Sequence, residues 1–489
     1  MRRRPAGLAV LLVSMATACA REKSSRAPAI PPGDAVWFTD GIGADLPQVE
    51  QILARGGLAR VFLPALSVGV EAGAWKTAAV SPPPRPLASL PVVLVIRGGA
   101  AVPTALSPGS EPAAAAAIGA GIKSVLGRRA AFGRVEGMLL DLPFPEAAAE
   151  TYGKLVEELR PQLPSDLFLI GSLRFVPAEK GREDFVRRLR ALDGFAAFVF
   201  GQEPLSDPVA TEALGKPWWA TYAPAAKGEW TDASGNRRGT LAEESLRELT
   251  DDARVPLGND LALRQEGTAG FIFQPAAPVE TGGVMLSPGD RIAFRQPLIS
   301  ELLYRFGSDL AGRHLVRGRL VALSGTSDSE RLFTLPALSD VLLGHPLLPD
   351  LRVAVAADAS GVRIAADNAS DHASIVSRTA NWVEVDVPFG HIRDVVPGGF
   401  DRYEVFDADG RPVTPGRATR VRFYETLVAP RERIEEAAIL VRIRPPADCC
   451  RFRSHVLAAS GTEVAGDWVT PPPAPTPTPI PKRRPPKRR

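Results

Sequence analysis

The sequence predicts an α/β fold, a (β/α)8 TIM-type barrel, followed by an antiparallel β-sandwich, and three observations predict it. Eight short apolar, β-favouring runs alternate with helix-compatible segments over residues 35–276, the pattern of parallel strands buried on both faces and covered by helices. Beyond residue 288 the chain changes to alternating strands divided by turn residues, as in an antiparallel sandwich. At 489 residues it also exceeds what one hydrophobic core organises, so two domains are expected.

The eight runs are AVWFTDG (35–41), ARVFLPAL (59–66), PVVLVIRGG (91–99), VEGMLLDLPF (135–144), LFLIGSLRF (167–175), GFAAFVFGQEP (194–204), KPWWATYAP (216–224) and GFIFQPA (270–276). Between them, Leu46–Arg55 and residues 111–132, 145–163, 183–192 and 241–254 read as helices. The third of these opens with Pro and Glu, which suit a first turn, and the last two alternate charges with Leu and Val. No G-x-G-x-x-G follows the first run, so the competing doubly wound sheet lacks its phosphate-binding turn. Residues 290–310 read as a further helix, and seven strand-like segments fill 315–470, with Asp-Gly-Arg-Pro at 409–412 as a hairpin turn. The expected organisation is a signal peptide (1–18), a lipidated tether (19–34), the barrel (35–288), a connecting helix (289–314), the sandwich (315–470) and a Pro-rich basic tail (471–489).

The leader carries Arg2, Arg3 and Arg4, then an apolar stretch at 8–16, then Ala-Thr-Ala before Cys19. The apolar stretch is shorter than a membrane span. A lone Cys in this setting resembles a bacterial lipoprotein cleavage box, with Cys19 as the lipidation site, although Ala16 stands where Leu is usual. A plain secretory signal is the alternative. The expected address is the bacterial cell envelope, lipid-anchored, and Ala20 after the Cys points to the outer membrane.

Twelve of the 58 basic residues and one of the 55 acidic ones lie in residues 1–26 and 471–489, which leaves the body between them with a net charge of −8. An acidic body argues against a nucleic-acid partner. With Cys19 lipidated, Cys449 and Cys450 have only each other as intramolecular partners, across a Cα distance of about 3.8 Å that suits a disulfide poorly. They read as two small strand-end residues.

Barrel function sits at the C-terminal ends of the strands. Those ends carry Asp40, Arg97, Asp141, Arg174, Gln202, Glu203, Tyr222 and Gln274, with Trp37, Trp218 and Trp219 nearby. Carboxylates, amides and aromatic rings at one mouth suit a sugar. At least one of the adjacent Trp218 and Trp219 rings must face the helices, which leaves at most one as a platform. His314, His345, His372, His391 and His455 all lie beyond the expected barrel, and no Cys lies within it. No metal or other cofactor is therefore expected, and no Ser-His or Cys-His nucleophile system. What remains is carboxylate chemistry, with Asp141 and Glu203 as the candidate catalytic pair and Glu146 as the alternative partner. Against catalysis, Asp141 has Arg97 and Arg174 as possible structural partners.

The lipoprotein-like start, AVWFTDG, and GMLLDLPFPEAAAETYGKLVEELRPQLP together resemble an uncharacterised family of bacterial exported lipoproteins with a glycosidase-like TIM-barrel domain. The resemblance implies the fold more than an activity. Retaining chitinase-like barrels carry an acid two residues past an Asp on strand four, and the matching position here is Pro143. Two functions are open: a barrel that binds an envelope glycan or other polysaccharide, and a glycoside hydrolase using Asp141 and Glu203. A non-catalytic scaffold or protein-interaction module is a third.

Overall fold

The computed structural model describes residues 29–471 apart from 44–45, 202–204, 253, 259–267, 309, 326–330, 359, 389–391, 444 and 447–449. Cys19 and the basic tail beyond 471 lie outside the described residues. No described helix is long and apolar enough to cross a membrane.

The first seven barrel strands are close to where periodicity places them. They are β1 (Ala35–Phe38), β2 (Arg60–Glu71), β4 (Leu87–Gly98), β5 (Gly133–Asp141), β6 (Phe168–Leu173), β7 (Gly194–Phe200) and β8 (Trp218–Tyr222), with β3 (Ala74–Ala79) folding back on β2 as a hairpin. Helices α1 (Leu46–Arg55), α2 (Val102–Ala105), α3 (Glu111–Leu126), α4 (Ala149–Leu159), α5 (Glu179–Arg188) and α6 (Pro208–Glu212) fall in the connections. The chain then leaves the barrel through β9 (Lys227–Thr231), β10 (Arg237–Leu241), α7 (Glu243–Asp251), β11 (Thr268–Phe273), β12 (Val279–Thr281), β13 (Val284–Leu286), β14 (Arg291–Pro297) and α8 (Ile299–Ser308). It returns as β15 (Val316–Leu323). This strand runs parallel to β8 and neighbours β1, which pairs in parallel with β2, so eight parallel strands close the barrel.

The eighth strand is therefore not the expected 270–276. Those residues lie in β11 and just after it, and β11 pairs antiparallel with β14 in the sheet β10-β9-β14-β11. A short apolar run looks alike in a barrel and in an antiparallel sheet. The segment that does close the barrel, 316–323, falls in the stretch of short strands expected to form the sandwich. The structure accommodates Arg319 at the strand entrance, where its Nε lies 3.0 Å from Asp34 and its backbone N–H donates to the same carboxylate. The expected helix at 290–310 is likewise only Ile299–Ser308. Its first half is β14, where Ile292, Phe294 and Gln296 alternate inward with period two.

The described residues form two compact units along this path: those within 29–50, 57–223 and 307–322 in one, and those within 51–56, 224–306 and 323–471 in the other. The expected boundary near 288 thus gives way to an insertion of residues 224–306. Packing explains it. Phe271, Phe273 and Phe294 of the insertion share one buried cluster with Leu332, Ile375 and Leu427 of the later chain.

Inside the barrel, Trp37, Phe62, Val93, Leu139, Phe168, Phe198, Trp219 and Leu320 fill the interior. Gly137 is required there, since a Cβ would sit 2.2 Å from the Phe168 ring. In the second unit, after α9 (Leu335–Leu343), come β16 (Leu351–Ala357), β17 (Gly361–Asn368), β18 (Trp382–Asp386), β19 (Ile392–Val396), β20 (Arg402–Phe406), β21 (Arg420–Tyr424), β22 (Arg433–Val441), β23 (Arg451–Leu457) and β24 (Glu463–Ala465). They form two antiparallel sheets, β16-β17-β22-β19 and β20-β21-β18-β23-β24. Val362, Ile364 and Ile439 of one pack with Val383, Val421 and Phe423 of the other, the aligned faces of a sandwich. The turn expected at 409–412 is present, with Asp407 N–H donating to the Arg411 carbonyl. Cys450, the residue before β23, is disulfide-bonded, a point the sequence left open.

Candidate functional site

Strand polarity gathers the mouth residues. Along β5 side chains alternate, so Leu139 and Asp141 both face the barrel interior, with Asp141 at the last strand position. Arg97 is its register partner on β4. Arg97 Nη1 reaches Asp40 Oδ1 and the Thr39 carbonyl, both at 3.3 Å, at the end of β1. On the other side, Ser172 stands beside the Asp141 side chain, and Arg174 lies over the Phe198 ring at 3.9 Å. The mouth thus holds an alternating row, Asp40, Arg97, Asp141, Arg174.

Burial pushes the Asp141 carboxyl above its ordinary range, and Arg174, Ser172 and Arg97 pull against it without cancelling the effect. Asp141 is only 8% exposed. Close by, two buried donors make no hydrogen bond within the protein: Trp37 Nε1 and Thr221 Oγ1. Trp37 lies 5.9 Å from Phe198 by ring centroids, and Thr221 is the register partner of Phe198. Buried polar groups without partners are uncommon and call for an explanation. Beside the row, the β2–β3 hairpin and the end of β4 enclose an open cleft of about 700 Å³, whose lining includes Glu71, Lys76, Thr77 and Arg97.

Four of the expected site residues, Asp40, Arg97, Asp141 and Arg174, come together. Others do not. Trp219 points inward but sits at the entrance end of its strand, where Nε1 donates to the Gly33 carbonyl at 3.2 Å and Arg60 covers the ring at 5.1 Å. Trp218 points outward, and its Nε1 bonds Glu212 at 2.8 Å. Both are fully buried, so neither is a platform for a ligand. Tyr222 is also fully buried, 6.3 Å from Phe200. Gln274 is exposed in the second unit, because the run that carries it is not the eighth strand. Gln202 and Glu203 lie outside the described residues, and Glu146 is exposed. His314, expected beyond the barrel, stands two residues before β15, at the end opposite the mouth, where its backbone N–H donates to Glu212. Among the described residues no group of His, Cys, Asp or Glu could hold a metal.

Ser172 and Thr221 were missed by the sequence reading. Each stands two residues from a residue already singled out, Arg174 and Trp219, and a period-two count would have found them.

No protein-family model matches the chain, and no curated protein matches it. Solved structures do resemble it. A chitinase from Rhizomucor miehei shares 11% identity at a TM-score of 0.36, over 63% of this chain and 99% of that one. A family 18 chitinase from Cycas revoluta, solved with allosamidin, shares 12% at 0.37, over 64% and 100%. A family 39 glycoside hydrolase from the gut symbiont Bacteroides cellulosilyticus shares 10% at 0.32, over 84% and 81%. At scores this low the likeness carries no functional argument, and the barrel is defined by its strand pairing.

Proposed function

We propose that the barrel binds a glycan at its mouth and does not cleave it. The observation that supports this most directly is the setting of Asp141, held among Arg97, Arg174 and Ser172 while Pro143 occupies the position two residues on. Carboxylate-dependent cleavage needs a pair of acids at the mouth, Pro143 offers none, and Asp40 is held by Arg97. The same row suits recognition, since carboxylates and guanidiniums bond pairs of hydroxyls in fixed directions.

Replacing Asp141 with Asn is expected to weaken glycan binding at least tenfold while leaving the fold intact, and wild-type protein is expected to show no turnover in a hydrolysis screen. Turnover that the variant abolishes would establish the hydrolase instead. A wild type that neither binds on a glycan array nor hydrolyses any substrate would defeat both sugar readings.

The location belongs to the same proposal: a cell-envelope protein lipidated at Cys19 and held at the outer membrane. A Cys19→Ser variant is expected to move from the membrane to the soluble fraction. Unchanged fractionation would refute the anchor.

A further inference from the structure

We propose that the outward face of the five-stranded sheet in the sandwich is a binding surface for a carboxylated polysaccharide, a uronate polymer. This proposal stands apart from the barrel mouth and uses none of its residues.

Strand register builds the face. Val383, Val385, Val421 and Phe423 point into the core, so their neighbours point out. On the central strands, Glu384 pairs across with Arg422 on one side and Arg453 on the other, and Asp386 with Arg420 and Arg451. Tyr424 stands between Trp382 and Arg402. Five arginines therefore share one face with Glu384, Asp386, Glu404 and, on β24, Glu463, an excess of one positive charge on a body whose net charge is −8. A polyanion repelled elsewhere is favoured here.

These arginines are not loose surface chains. Glu384 is 1% exposed and receives Arg422 at 2.6 Å, Arg453 at 3.2 Å and Arg420 at 3.5 Å. Aromatic rings hold the guanidiniums flat: Arg422 over Trp382 at 4.5 Å, Arg402 over Tyr424 at 3.7 Å, and both Arg451 and Arg453 over Trp468 at 4.7 Å. Stacking occupies the planar faces and leaves N–H edges as the remaining donors. One carboxylate cannot satisfy three forked donors; Arg451 and Arg402 are oriented by Asp386 and Glu404 at 2.7 Å, and the half-exposed Arg451 presents the most accessible edge. Little side-chain entropy remains to be lost on binding.

The geometry favours carboxylates over nucleobases. Trp382 already carries Arg422 and Arg453, and His455 stacks on it at 5.4 Å and 12°. A base therefore finds no free ring there, which single-strand recognition requires. Guanidinium edges match carboxylates two bonds at a time. Arg422 and Arg453 are two strands apart, on the order of 10 Å at the backbone, which lets one chain with a charge on each sugar engage both.

The test is retention of the full chain on polygalacturonate at low and physiological salt, beside dextran, phosphatidylglycerol vesicles and a single-stranded oligonucleotide. Wild type is expected to bind polygalacturonate in a salt-sensitive way and to ignore dextran. Arg451→Gln with Arg453→Gln is expected to weaken binding at least tenfold, and the matching Lys pair to weaken it less. The basic tail is the same in every variant, so the difference reads the sheet. If the Gln pair unfolds, Trp468→Ala, which removes the ring beneath both arginines, is expected to weaken binding about threefold. Undiminished binding by the folded Gln pair or by Trp468→Ala would overturn the proposal. So would equal retention on vesicles or the oligonucleotide, lost in the same variants, because that marks a general anion patch.

Discussion

A Trp219→Ala variant is expected to destabilise the barrel by about 3–5 kcal/mol, the cost of truncating a fully buried large aromatic residue, without a specific loss of glycan affinity. Trp219 is wholly buried, 5.5 Å from Phe62 and 6.1 Å from Phe168 by ring centroids. The truncation leaves a cavity in the barrel interior and removes the indole donor to the Gly33 carbonyl. It also uncovers Arg60, which the ring now shields beside its 2.6 Å ion pair with Glu136. Urea denaturation measures the stability, and glycan titration of the folded variant measures the affinity. A sugar platform would give the opposite result: affinity lost and stability kept. That outcome would contradict the placement of this ring at the far end of the barrel.

The second large effect is a pH dependence centred on Glu243. This residue opens α7, is 4% exposed, and accepts the Ala226 N–H at 2.5 Å and the Leu332 N–H at 2.6 Å. It thereby ties together the segments that follow β8 and β15 in the chain. Burial pushes its carboxyl up to about 7, against the pull of the two backbone donors. A raised acid binds its proton more tightly in the folded state. Its contribution is therefore fully present below the unfolded value near 4.5 and is lost as the pH rises through about 7. The shift corresponds to about 3 kcal/mol. Glu425 and Glu432 are raised by burial too and slope the same way, so the difference between wild type and Glu243→Gln isolates the site. Between pH 4.5 and 7 the wild type is expected to lose stability more steeply than the variant. Amide exchange at Ala226 and Leu332 provides the local readout. Parallel pH profiles for the two proteins would show that Glu243 does not titrate in this range.

Of the candidate site, the row Asp40, Arg97, Asp141 and Arg174 was legible because strand polarity and a period of two name the residues that crown a barrel. Depth was legible in principle as well. Trp219 is the second residue of its strand, and an early position places a side chain at the entrance, so the platform reading missed a signal that was present. The proximity of Asp141 to two guanidiniums was available only as an alternative to catalysis. Arg97 and Arg174 come from separate strands, and their approach depends on register.

By itself the sequence determined the class of each unit, because burial on two faces or one writes itself into the spacing of apolar residues. It also determined seven barrel strands, most of the helices between them, and the residues at the strand ends. Only the tertiary structure decided which segment closes the barrel. GFIFQPA and LVRGRLVAL carry comparable apolar content, and hydrogen-bond partners choose between them: β14 takes the first, while β8 and β1 take the second. The arginine face of the sandwich was hidden for the same reason. Its charges alternate along each strand like those of any solvated edge, and only lateral pairing stacks them into one surface over Glu384.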